Sequence, residues 1–95
     1  MLAIGEPVRV DAPRDPEMTL IHGVDSCEDT TRARERFDAA GRRYRYVDLD
    51  ADPATRQRLH DVGLVATPVV VTPAGDVFVE PSDADLTVII ASTAA

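Results

Sequence analysis

Ninety-five residues suffice for one small domain, which buries about 60–65% of its unfolded surface and is modest in stability. The net charge of −7 leaves no basic face in excess for nucleic-acid phosphates, and all ten cations are arginine, so a lysine nucleophile or Schiff base is excluded. A single cysteine rules out an internal disulfide framework, and no apolar run approaches the ~20 residues that a membrane-spanning helix requires.

In chain order, residues 1–17 carry Pro7, Pro13 and Pro16 among charged residues. Val8 and Val10 alternate with Arg9 as in a short edge strand, but the prolines favour a flexible N-terminal tail. Met1 to Gly5 lack the basic flank and long apolar stretch of a secretory leader, so the cytoplasm is the expected compartment. Ordered signals begin at Met18. Met18 to Gly23 reads as a strand buried on both faces, and Val24-Asp25-Ser26 as a turn.

A helix is predicted from Cys27 to about Ala40, with Thr30, Ala33, Phe37 and Ala40 on its inward side and Gly41 as its stop. Arg43 to Leu49 alternates and predicts a second strand. Asp52-Pro53 supplies an N-cap and a proline for the first helical turn; Leu59 and Val62 face inward and Gly63 ends the helix. Pro68 to Thr72 predicts a third strand, Pro73 to Asp76 a turn, and Val77 to Val79 a fourth strand closing a hairpin. Ser82 with Asp85 three residues later has the pattern of a capping box, ahead of a helix that turns Leu86, Ile89 and Ile90 inward. The order β-α-β-α-β-β-α defines an α/β domain over residues 18–92, with a short tail at 93–95. A helix joins the first two strands, which are therefore parallel with a right-handed crossover.

The chemistry centres on Cys27. At a helix start the free N–H groups stabilise a thiolate. Asp25, Glu28 and Asp29 oppose it, although acidic residues in a first turn also cap the dipole at little cost. A moderately acidic thiol is expected, less activated than one flanked by lysine. Thr30 lies one turn along on the same side. Its hydroxyl can donate to a thiolate but cannot resolve a mixed disulfide, and a plain core-facing threonine is the alternative. The Thr67-Pro68 bond reads as trans on composition, since only about 5–6% of X–Pro bonds in folded proteins are cis. His22 and His60 stand far apart without metal-ligand spacing, so no metal site is expected.

The segments Thr19 to Gly23, Ser26 to Thr30, Tyr44 to Asp50 and Ala66 to Val71 together resemble the glutaredoxin family, a branch of the thioredoxin fold, over Met18 to Ser92. Glu80 to Leu86 is more similar to the mycoredoxin-like actinobacterial branch than to members with Gly-Gly there. The resemblance implies a four-stranded mixed sheet with three helices. It makes Cys27 the nucleophile and Pro68 a cis-proline preceded by Thr67, whose backbone pairs with the bound thiol. It sets Ser82 and Asp83 at the far end of a low-molecular-weight thiol, glutathione or mycothiol, which serves as co-substrate with no further cofactor.

The second cysteine of the family pattern is Thr30 here, the intervening Pro-Tyr is Glu28-Asp29, and the basic residue three before the nucleophile is Val24. Only a monothiol cycle on protein mixed disulfides is then available, and a monomer is expected. The alternatives are a non-catalytic module that docks on a protein partner and, on weaker grounds, a dimer bridging an iron–sulfur cluster through Cys27.

Overall fold

The computed structural model describes residues 7–93. Four strands, β1 (Thr19–Gly23), β2 (Tyr44–Asp48), β3 (Val69–Val71) and β4 (Val77–Val79), form one mixed sheet in the order β2-β1-β3-β4. β1 runs parallel to β2 and antiparallel to β3, and β3 is antiparallel to β4. Three helices, α1 (Glu28–Ala39), α2 (Pro53–Asp61) and α3 (Asp83–Ser92), complete the expected order. This is a thioredoxin-like fold.

Every residue of β1 is buried, as its apolar run requires of a strand covered on both faces. Ile21 and Val70 point to one side, where Ala33 and Phe37 of α1 meet Leu86, Ile89 and Ile90 of α3. Leu20, Val69 and Val71 point to the other, against Leu59 of α2 and Leu49 and Leu64 of its flanking loops. The antiparallel pairs Leu20–Val71, Ile21–Val70 and His22–Val69 fix the central register.

The helix ends follow their sequence signals. Gly41 and Gly63 follow α1 and α2 with φ of 66° and 85°, a backbone region open to glycine. Asp52 accepts from the Thr55 N–H at 3.0 Å, and Ser82 with Asp85 completes the capping box of α3. One expectation fails: Ala40 does not face the core. It is the C-cap, past the last helical turn, and is exposed, whereas Thr30, Ala33 and Phe37 are buried as expected.

Of the tail expected over residues 1–17, residues 1–6 lie outside the described residues. From there on, the Val8 N–H donates to Val77 O at 2.7 Å, and Val10 and Ala12 rest on the α2-side core. The Arg14 guanidinium donates to Pro73 O at 2.7 Å, and Arg45 pairs with Asp15 at 3.1 Å. Of the tail expected at 93–95, only Thr93 is described.

Candidate active site

The parallel pair β1–β2 and the antiparallel pair β1–β3 bring three chain segments to one end of the sheet. The β1–α1 loop leaves β1 there, β3 enters there from Thr67-Pro68, and the segment after β2 leads there into α2. Cys27 is the N-cap of α1, with extended φ and ψ of −88° and 118°, and it makes no side-chain capping bond. Its carbonyl accepts from the Thr31 N–H at 3.1 Å. The sulfur is therefore left free at the positive end of a helix, and Cys27 is partly exposed.

Across from it lies Thr67, forty residues away in sequence. The thiol S–H points at the Thr67 carbonyl at 3.8 Å, a long contact. The Thr67-Pro68 bond is cis, which corrects the trans reading from composition and agrees with the family resemblance. Base rates for X–Pro bonds carry no information about one tertiary setting. The Pro68 carbonyl accepts from the Glu80 N–H at 2.9 Å, tying the end of β4 to the same spot. Glu80 itself adopts φ of 46°, the one non-glycine residue with positive φ among the described residues.

The Cys27 thiol is held below its ordinary value. The Thr67 hydroxyl contributes most and the Thr30 hydroxyl next; burial opposes them, and the N–H groups of Thr30 and Asp29 add lesser contributions on the lowering side. Thr30 is fully buried, and its Oγ1 has no hydrogen-bond partner within the geometric limits among the described residues. It lies beneath Gly23, where any Cβ would collide with the Thr30 side chain.

Ser82 and Asp83 stand at the start of α3, apart from this centre. The Ser82 hydroxyl accepts from the Asp85 N–H at 3.1 Å. Asp83 pairs with Arg36 at 3.2 Å and Arg32 at 3.5 Å, and Arg32 pairs in turn with Asp29 at 3.1 Å. Arg32 thus links the first turn of α3 to the first turn of α1. Among the described residues neither Ser82 nor Asp83 hydrogen-bonds Cys27, Thr67 or Pro68; the structure brings Thr30 and Thr67, with Pro68 next in the chain, to the sulfur, and Asp83 connects to the first turn of α1 through Arg32.

Sequence reasoning did not anticipate two features. Tyr46 donates to Asp25 at 2.7 Å while the Arg34 guanidinium lies 3.8 Å above its ring, and burial with the Asp25 charge raises the phenol strongly. His22 is fully buried five residues before Cys27. Its Nδ1–H donates to Val69 O at 3.1 Å, its Nε2 has no partner among the described residues, and burial pushes its pKa down. The alternation of Leu20 and His22 in β1 was the available signal for that burial. Among the described residues, no group of three or more His, Cys, Asp or Glu is arranged to hold a metal ion, and no helix is long and apolar enough to cross a membrane.

A cysteine capping a helix beside a cis-proline on a thioredoxin-like sheet defines the thiol-redox class of this fold. The glutaredoxin family model matches residues 18–79. The chain belongs to the glutaredoxin family, with the thiol-disulfide oxidoreductase-like character that membership carries. No curated protein matches it as a relative.

Proposed function

We propose that this chain is a monothiol thiol-disulfide oxidoreductase that acts through Cys27 on protein mixed disulfides of glutathione or mycothiol. The observation that supports this most is the free Cys27 sulfur at the head of α1, facing Thr67 beside cis-Pro68, with its thiolate favoured by two hydroxyls. The Cys27 thiolate attacks the small-thiol sulfur of the mixed disulfide. That S–S bond breaks, the protein thiolate leaves with the electron pair and takes a proton from water, and Cys27 holds the small thiol.

The chain has no second cysteine, so a second molecule of the small thiol attacks this bond as its thiolate. It releases a small-molecule disulfide and restores the Cys27 thiolate. In this reading Thr30 stabilises the sulfur anion, the Thr67 backbone holds the peptide part of the bound thiol, and Ser82 and Asp83 at the head of α3 bound its far end. The protein works as a monomer in the cytoplasm, with no cofactor beyond the co-substrate thiol.

The test is steady-state turnover on a peptide mixed disulfide of each small thiol, with Cys27→Ser alongside. All turnover is expected to vanish in the variant. Retained turnover, or full biological complementation by Cys27→Ser, would favour a protein-docking module instead.

A further inference from the structure

Asp25 brings a carboxylate to the loop that ends in Cys27, two residues before the one that bears the sulfur. Val24 O accepts from the Cys27 N–H at 3.1 Å, so Asp25 and Ser26 are the middle residues of a tight turn. Residues two apart lie within about 7 Å of each other at Cα, so a freely swinging carboxylate here would oppose the thiolate. The structure holds it elsewhere. The Tyr46 hydroxyl donates to Asp25 Oδ1 at 2.7 Å, and the Arg34 guanidinium stands 3.9 Å from the same oxygen. Arg34 is itself fixed from two sides: it lies 3.8 Å above the centre of the Tyr46 ring, and its Nε–H donates to the Tyr44 hydroxyl oxygen at 3.4 Å.

The strand order turns these contacts into a direction. Tyr46 belongs to β2 and Thr67 leads into β3, and the two strands flank β1 on opposite sides. The Asp25 carboxylate is drawn to the β2 side, while the Cys27 sulfur faces Thr67 on the β3 side. The electrostatics agree. Burial and the bond to Asp25 raise the Tyr46 phenol, whereas hydroxyls, burial and N–H groups act on the Cys27 thiol. The raised phenol stays a donor throughout the range in which a thiol titrates. Resting on the thiol-exchange reading above, we propose that Tyr46 and Arg34 are positioning residues that hold the Asp25 carboxylate on the far side of β1 and keep its charge off the Cys27 thiolate. They act through Asp25 and not on the sulfur itself.

Other charges share this end of the sheet: Glu28 and Asp29 in the first turn of α1, with Asp29 paired to Arg32; Asp48 at the end of β2; Asp52 capping α2; Glu80 after β4; and the buried His22 of β1. The experiment leaves all of them in place. It reads thiolate absorbance across pH for the parent, Tyr46→Phe, Asp25→Asn and the double variant, with Cys27→Ser as the blank. Tyr46→Phe removes a neutral hydroxyl and changes no charge. Asp25→Asn removes the charge and keeps an oxygen that can accept from the phenol. A melting curve for each variant checks folding, and turnover of the parent on glutathione and mycothiol mixed disulfides is measured alongside.

At low ionic strength Tyr46→Phe is expected to lower the thiolate fraction below the midpoint by about threefold, the Coulomb effect of one carboxylate at about 6–7 Å through water. Near 1 M salt, where the screening length is about 3 Å, that loss should fade. Asp25→Asn should change the fraction by less than about 1.5-fold, and Tyr46→Phe added to it should have no further effect. A Tyr46→Phe midpoint equal to the parent's would overturn the proposal. So would an equal loss with and without the Asp25 charge, which would make Tyr46 a plain packing residue. Turnover in the parent without the charge-dependent loss would overturn the positioning role and leave thiol exchange standing. The charge-dependent loss in a parent that turns over neither mixed disulfide would uphold the positioning role and overturn the exchange reading.

Discussion

Replacing Thr30 by valine should make the protein more stable and its sulfur less reactive. The side chain is fully buried, and its Oγ1 has no hydrogen-bond partner among the described residues. A buried hydroxyl that has left water without a hydrogen bond costs about 1–3 kcal/mol. Valine keeps the shape and removes that cost, although the tight fit under Gly23 takes back part of the gain. A net gain of about 1 kcal/mol should raise the melting temperature by about 4–8 °C in a domain of this size.

The thiolate loses its second strongest stabiliser in the same change, after Thr67. A hydrogen bond to a charged group is worth about 1.5–3 kcal/mol, and the open side of the sulfur discounts this to about 1 kcal/mol. The thiolate population below its midpoint should therefore drop by roughly fivefold. Thermal unfolding at pH 6 gives the first number, and thiolate absorbance across pH, with Cys27→Ser as the blank, gives the second. A variant that melts lower than the parent, or whose absorbance midpoint does not rise, would refute this account of Thr30.

Gly23→Ala should destabilise by about 1–3 kcal/mol, read from urea midpoints, because the new methyl drives into the Thr30 side chain below it; a loss under about 0.5 kcal/mol would show that α1 yields easily. Burial lowers the folded-state pKa of His22 below 6.5, so between those two values the unfolded chain binds more protons than the folded one. Its contribution to stability is complete above about pH 6.5 and is lost as pH falls toward the lowered value. His22→Leu should flatten that part of the curve of unfolding free energy against pH; an unchanged slope would assign it to other groups. Ser82→Ala should cost about 1 kcal/mol in stability by opening the capping box of α3, and Ser82→Asp should recover most of it, both read from urea midpoints.

The sequence made the elements legible because each carries a local signal: the apolar run of β1, Asp52-Pro53, Ser82 with Asp85, and the glycines after α1 and α2. Cys27 at a turn-to-helix junction was readable for the same reason. Ala40 misled because helical spacing continues past a helix that ends one residue earlier, at Ala39. The Thr67-Pro68 isomer escaped composition because it depends on surroundings supplied by other segments. The resemblance set Asp83 at the far end of a bound thiol; the ion pairs that Arg32 and Arg36 make with it were not readable. Those partners are about fifty positions upstream, where no local pattern points to them.

The ladder between β1 and β3 carries a consequence beyond holding the core together. Cys27 follows one strand and Thr67 precedes the other, so their spacing is gauged by Leu20–Val71, Ile21–Val70 and His22–Val69. A slip of one residue would carry Thr67 about 3.3 Å along the strand and turn each of these side chains to the wrong face. The hydrophobic interior thus serves as the calibration of the chemistry above it. Loss of the β1–β3 pairing is therefore expected to separate the Cys27 sulfur from the Thr67 hydroxyl.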